Sequence, residues 1–192
     1  MKVLVACEFS GKVREAFRAL GYYDTWSCDL EPAADHSPNH LQGDVFAYAS
    51  SAFDLMIAHP PCTYLSAAGL HYCRHDRKRR RLRDEAVEFT KRLMALPIKR
   101  IAIENPVGYL STAWRKPDQI VRMNEFGHSE AIKPTCLWLK GLPKIKPTEI
   151  VEPRRRAKRE SEWYSLTKDK KLRSITFDGF ARAMAEQWAT AK

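Results

Sequence analysis

The chain opens on a short valine-rich apolar run, residues 2–7, with no polar position in its middle. An unbroken apolar stretch of this length predicts a strand buried on both faces. Ser10-Gly11 then opens KVREAFRALG, where Val13, Phe17 and Leu20 recur at helical spacing and Gly21 ends the pattern. A strand, a tight turn and a helix are expected. Residues 23–28 read as a second strand ending at Asp29, and residues 53–58 as a further buried strand running straight into His59-Pro60-Pro61. Residues 83–96 set Ala86, Phe89, Leu93 and Leu96 on one helical face, and residues 99–103 follow as a strand of alternating Ile and Ala. Further on, 135–139 is a candidate strand, 141–153 a proline-punctuated connection, and 179–191 a closing helix.

Strands alternating with helices predict an α/β fold with a mostly parallel sheet flanked by helices on both faces. Right-handed crossovers would bring the carboxyl ends of the parallel strands to one edge, where ligands bind in open α/β sheets. The polar groups at those ends are Cys7-Glu8, Asp29, Asp44, residues 59–62, and Glu104-Asn105-Pro106. All five are expected to face one crevice.

Composition narrows the class. At 192 residues, with 44% hydrophobic and 29% charged positions, the chain suits one globular domain over 1–192, with residues 141–175 as a basic, proline-containing connection or reduced substrate-recognition region. Lys and Arg number 33 against 23 Asp and Glu, a formal charge of +10 that attracts polyanions. Nucleic acid is the leading partner, and a basic surface serving solubility alone is the plainer alternative. No apolar run approaches the roughly 18–20 residues that span a bilayer, and the first apolar run meets Glu8 too early for a signal peptide. A cytoplasmic protein with no membrane partner is expected. The five cysteines, at 7, 28, 62, 73 and 136, have no paired CxxC spacing, which predicts reduced thiols rather than disulfides or structural zinc. His71, Cys73 and His75 alternate within a basic segment, a pattern that predicts no metal site.

Two segments carry candidate chemistry. In His59-Pro60-Pro61-Cys62 the prolines lock the backbone at a strand end, and a rigid loop presents a side chain well. A helix starting near residues 63–68 would favour the Cys62 thiolate through its dipole. Glu104-Asn105-Pro106 also ends an apolar strand, where a carboxyl is costly unless it is paired or binds something. A protonated carboxyl there donates a hydrogen bond to N3 of a pyrimidine and makes C6 electrophilic for a thiolate such as Cys62. The alternatives are a buried structural cysteine and a glutamate that caps the next helix.

Taken together, these segments resemble the cytosine-C5 DNA methyltransferase family in a short form like that of phage and prophage proteins. Phe9-Ser10-Gly11 is similar to the first cofactor loop, Asp29 to the acidic end of the second strand, and Gly43-Asp44-Val45 to the third element. Pro61-Cys62 is similar to the catalytic Pro-Cys, Ile103-Glu104-Asn105 to the Glu-Asn segment, and Asp178-Gly179 with its helix to the final motif. The resemblance implies a Rossmann-like class I methyltransferase fold without a large target-recognition domain, and S-adenosylmethionine as cofactor. The cofactor would lie along Phe9, Ser10, Gly11, Asp29, Asp44, Pro60 and Gly179, with Asp29 at the ribose hydroxyls, Asp44 at the adenine amine and Phe9 against the adenine ring. It further implies Cys62 attacking C6 of cytosine, Glu104 stabilising the ring, and Thr63 and Asn105 beside the base. His59, preceding the prolines, is a candidate proton carrier, orienter or structural histidine. A base in duplex DNA would be flipped out to reach the pocket.

The chain departs from the family pattern in four places. Val13-Arg14 replaces a glycine pair, which predicts a bulkier loop near the cofactor, and Thr63 replaces the glutamine after Pro-Cys. The Gln-x-Arg-x-Arg element has no counterpart beyond the single cation Lys133. Only about 70 residues separate Asn105 from Asp178, where the family inserts a long recognition region. Two basic runs, 74–83 with Arg77, Lys78, Arg79, Arg80 and Arg81, and 154–159, are candidates for phosphate contacts without sequence reading, the first in the place of the family's mobile loop. Three functions therefore compete: methylation of DNA cytosine with little or short specificity, C5 modification of a free cytidine nucleotide, and a methyltransferase-like nucleic-acid-binding module without chemistry.

Overall fold

The computed structural model describes residues 1–73, 75–129, 134–153 and 171–191. Lys133, Arg74 and the basic run at 154–159 lie outside the described residues, as does most of the stretch 154–175.

Seven strands form one sheet: β1 (Val3–Ala6), β2 (Thr25–Asp29), β3 (His40–Gln42), β4 (Leu55–Ala58), β5 (Arg100–Pro106), β6 (Gln119–Val121) and β7 (Thr135–Lys140). Their order is β3-β2-β1-β4-β5-β7-β6, the first five parallel and β7 antiparallel to both β5 and β6. The helices are α1 (Lys12–Ala19), α2 (Val45–Tyr48), α3 (Ala67–Leu70), α4 (Arg77–Met94), α5 (Leu110–Ala113) and α6 (Asp178–Ala189). This is the expected single-domain α/β architecture, a mostly parallel sheet flanked by helices, and the reversal of strand order between β1 and β4 opens a crevice at the carboxyl edge.

The continuous apolar runs are explained by two cores. Val3 and Val5 of β1 pack with Phe17, Phe180, Met184 and Trp188 on one face. Leu4 and Ala6 pack with Val87, Leu93 and Trp138 on the other. A strand covered on both sides has no face that must stay polar. α1 ends at Ala19, where the Gly21 N–H bonds the Arg18 carbonyl and Gly21 takes φ +89°, as the sequence pattern predicts.

Three boundaries differ from expectation. The helix expected from residue 83 begins at Arg77, because the Asp76 carboxylate accepts the Arg79 N–H (2.9 Å) and caps it. The basic residues Arg77 to Arg81 thus occupy the first turns of a helix instead of a mobile loop. β5 continues to Pro106, so Glu104 and Asn105 lie within a strand, paired against Leu137 and Cys136. No helix starts directly after Cys62: a turn spans residues 63–65 and α3 begins at Ala67. The dipole argument for the Cys62 thiolate therefore fails.

Candidate active site at the carboxyl edge of the sheet

The β1–α1 connection is built around Glu8. Gly11 sits at the N-cap of α1 with φ +72° and has no side chain to cap the helix. Glu8 supplies the acceptors instead, taking the Val13 N–H (2.6 Å) and the Arg14 N–H (3.3 Å) on its two oxygens. Val13 and Arg14 are buried in the first turn. Arg14 turns beneath the loop, bonding Ser27 Oγ (2.6 Å), Glu15 (2.8 Å) and Asp35. The bulk expected near the cofactor is thereby absorbed into the interior. Gly11 is required for this packing, because a Cβ there would fall 2.3 Å from the Arg14 guanidinium.

A cavity of about 1350 Å³ opens along this edge, with Cys7, Asp29, Gly43, Asp44 and Pro61 on the sheet side. Arg77, Arg80 and Arg81 of α4 also line it, together with Asp84, Glu85 and Glu88 of the same helix. Asp29 is held by accepting the Glu31 N–H (3.0 Å), and Asp44 caps α2 by accepting the Phe46 N–H (3.0 Å). Burial first, then the charges of Asp29 and Asp44 among others, push the Cys7 thiol far up and disfavour its thiolate. The same influences push Cys28 up to about 12. Two carboxylates on one wall suit a ligand carrying positive charge and a ribose diol, the donor set that S-adenosylmethionine presents. Phe9 does not line this cavity: its ring lies 5.0 Å from the Lys171 ammonium, and its carbonyl accepts the Ala34 N–H. Ser10 bonds locally to the Lys12 N–H (3.5 Å). Gly179 packs elsewhere, so close to the Phe126 carbonyl that a Cβ would be 2.0 Å from its oxygen.

Beside the cavity, two loops are fastened together. Asn105 Nδ2 donates to the buried Pro60 carbonyl (2.7 Å). The Tyr109 N–H bonds the Leu65 carbonyl (2.7 Å) and the Ala67 N–H bonds the Val107 carbonyl (3.2 Å). Gly108 permits this approach, since a Cβ there would sit 2.0 Å from Leu65 O. Cys62 is exposed at the head of the turn, its carbonyl accepting the Leu65 and Ser66 N–H groups, and Thr63 is exposed next to it.

Glu104 has partners on both carboxyl oxygens. The Thr135 hydroxyl donates to Oε1, and His59 Nδ1 lies 3.3 Å from Oε2. Burial works against a charged His59, but the bond to Glu104 and the charges of Glu104 and Glu8 outweigh it and raise its pKa. Sequence reasoning missed Thr135. Only the antiparallel register that sets Thr135 opposite Pro106 brings it here, and that register leaves no mark in the sequence.

On α4, Arg79 lies between the rings of Tyr64 (5.1 Å) and Tyr72 (5.2 Å), Arg80 donates to the Cys73 carbonyl (3.2 Å), and Arg81 pairs with Glu85 (2.7 Å). Arg77 and Lys78 are exposed. No helix among the described residues is long and apolar enough to cross a membrane.

No protein-family model matches the chain, and no curated protein matches it. Among solved structures, an rRNA methylase from Escherichia coli is similar at 14% identity and a TM-score of 0.40, over 72% of this chain and 55% of that one. The S. pombe Dnmt2 methyltransferase is similar at 15% identity and a TM-score of 0.44, over 73% and 49%. The 16S rRNA methylase RmtB is similar at 17% identity and a TM-score of 0.34, over 72% and 55%. The chain thus aligns with about half the length of these structures.

Proposed function

We propose that this chain is an S-adenosylmethionine-dependent methyltransferase acting on C5 of cytosine in nucleic acid, with Cys62 as the nucleophile. The observation that carries the reading is the fastening of the Cys62 turn to the Glu104 strand, which brings an exposed thiol and a carboxyl to one edge of the sheet. Nucleophilic addition at C6 needs such a thiol held rigidly beside a group that contacts N3. Cys62 adds to C6, Glu104 meets the ring nitrogen, and Asn105 holds the turn through Pro60; after methyl transfer to C5, loss of the C5 proton breaks the C6–S bond and releases Cys62. Asp29 and Asp44 hold the cofactor at its ribose and adenine. When bound, S-adenosylmethionine supplies the methyl group and, through its positive sulfur, the driving force for transfer. Basic residues at the start of α4 contact phosphate.

A second reading keeps the site but takes a free cytidine nucleotide. It is favoured by the short interval between β5 and α6, in which α5, β6, β7 and their connections account for the described residues and form no separate recognition unit. Incubation with methyl-labelled S-adenosylmethionine and duplex DNA, single-stranded DNA, RNA, dCMP or dCTP is expected to yield labelled 5-methylcytosine. Label in mononucleotide alone would select the second reading. Cofactor binding without label in any substrate, unchanged by Cys62→Ser, would leave a binding module.

A further inference from the structure

A buried cation lies beneath the β1–α1 connection and has no part in the mechanism above. Arg14 is fully buried, and a buried charge is costly unless it is paired and hydrogen-bonded. Its Nε meets Glu15 (2.8 Å), its Nη2 meets Asp35, and its Nη1 donates to Ser27 Oγ (2.6 Å). From Ser27 the bonds continue to the cavity. Ser27 Oγ lies 2.8 Å from His40 Nδ1, and His40 Nε2 lies 2.9 Å from the Glu31 carbonyl. The Glu31 N–H donates to Asp29 Oδ1 (3.0 Å), and Asp29 lines the cavity. The parallel register of β2 and β3 pairs Ser27 directly with His40, so the sheet itself brings the two side chains together.

The direction of each bond follows from what the groups can donate. A carbonyl only accepts, so His40 Nε2 carries a proton and gives it to Glu31. Arg14 only donates, so Ser27 Oγ accepts from it and keeps its own proton for His40 Nδ1. A neutral ring with its proton on Nε2 therefore completes every bond, whereas a proton on Nδ1 would deprive the Ser27 hydroxyl of its acceptor. Glu31 precedes Pro32, which restricts its backbone, so holding its carbonyl also sets the direction of its N–H. Gln42 of β3 adds a second hold, donating to the Leu30 carbonyl (3.2 Å).

We infer that His40 is a positioning residue for Asp29, kept in one tautomer by Ser27 and the buried Arg14 and fixing, through the Glu31 backbone, the carboxylate that meets the cofactor ribose. The inference rests on the cofactor contact proposed above and adds to it three residues that do not line the cavity. A carboxylate already held by a backbone N–H loses less freedom when it binds the ribose hydroxyls. Arg14, which stands where the resembled family has a glycine, thereby acquires a task.

The test compares, by calorimetry on the intact chain, the affinities for S-adenosylhomocysteine and for its analogue lacking both ribose hydroxyls. Ser27→Ala cuts the relay between Arg14 and His40. It should weaken S-adenosylhomocysteine about fivefold or more, as coupling within one hydrogen-bond network does, and leave the truncated analogue unchanged. His40→Leu, at a half-buried position, should do the same and decides the matter if S27A does not fold. An equal loss for both ligands would mark a merely structural network and overturn the inference, as would no loss for either. A loss in H40L alone would overturn the part given to Ser27 and Arg14. If the wild type binds both ligands equally, the ribose contact is absent and the inference fails while the cofactor reading stands. If it binds neither, the cofactor reading fails and the inference falls with it. A second arm needs no ligand: ¹⁵N NMR at weakly alkaline pH, with His40 assigned by its loss in H40L, should find the ring proton on Nε2, and a proton on Nδ1 would overturn the relay.

Discussion

His59 shows how the surroundings of one residue set its chemistry. Burial favours its neutral form, yet the bond to Glu104 and the charges of Glu104 and Glu8 prevail and raise its pKa. A group that binds its proton more tightly when folded stabilises the fold fully below its unfolded value, about 6.5 for imidazole, and loses that contribution as pH rises through its folded value. Glu8 is also raised, chiefly by burial, and adds a loss of the same sign that begins lower. Urea unfolding should therefore show stability declining from weakly acidic to alkaline pH, and H59Q should flatten the part above about 6.5; an unchanged slope would remove His59 from the account. Asp44 allows another separation, because its carboxylate both caps α2 and faces the cavity. Asp44→Asn keeps a good cap, whereas Asp44→Ala costs about 0.5–1 kcal/mol of stability. Calorimetry with S-adenosylmethionine should find binding weakened in both, and full affinity in D44N would exclude a charge contact.

At the scale of elements, the close approach of two loops does most to form the site. The β4 loop with Cys62 and the β5 loop after Asn105 approach so closely at Gly108 that no side chain fits. Gly108→Ala should push them apart, costing about 1–3 kcal/mol as overpacking does. Thermal melts should record the loss, and thiol capture should slow while affinity for S-adenosylmethionine stays unchanged. Weakened cofactor affinity with normal capture would contradict this. The longer elements were legible in the sequence: the buried strands at 3–6, 25–29 and 55–58, the helix at 12–19 and the closing helix all follow from apolar runs, helical spacing and terminal residues. The three-residue strands β3 and β6 and the four-residue helices α2 and α5 were not, because so few residues carry no measurable period. The start of α4 was missed because its first two turns are almost wholly basic, and Asp76 was the one signal that would have located it.

For the whole molecule, the expected crevice is present but divided. Asp29, Asp44 and Pro61 line the large cavity, whereas Glu104 and His59 sit beside it and Glu8 turns inward beneath α1. The sequence placed these groups at strand ends, which topology alone ensures. Their directions depend on helix capping, on the β5–β7 register and on the contact at Gly108, all of which join residues distant in the chain. The part of α4 that lines the cavity alternates Arg77, Arg80 and Arg81 with Asp84, Glu85 and Glu88, so its charge is mixed. The most direct test of Cys62 as nucleophile is mass spectrometry after incubation with S-adenosylmethionine and either DNA or a nucleotide containing 5-fluorocytosine. Fluorine at C5 blocks the final elimination, so a covalent adduct should accumulate on the peptide containing Cys62 and be absent from Cys62→Ser. An adduct on another cysteine, or methylation that persists in Cys62→Ser, would contradict the account.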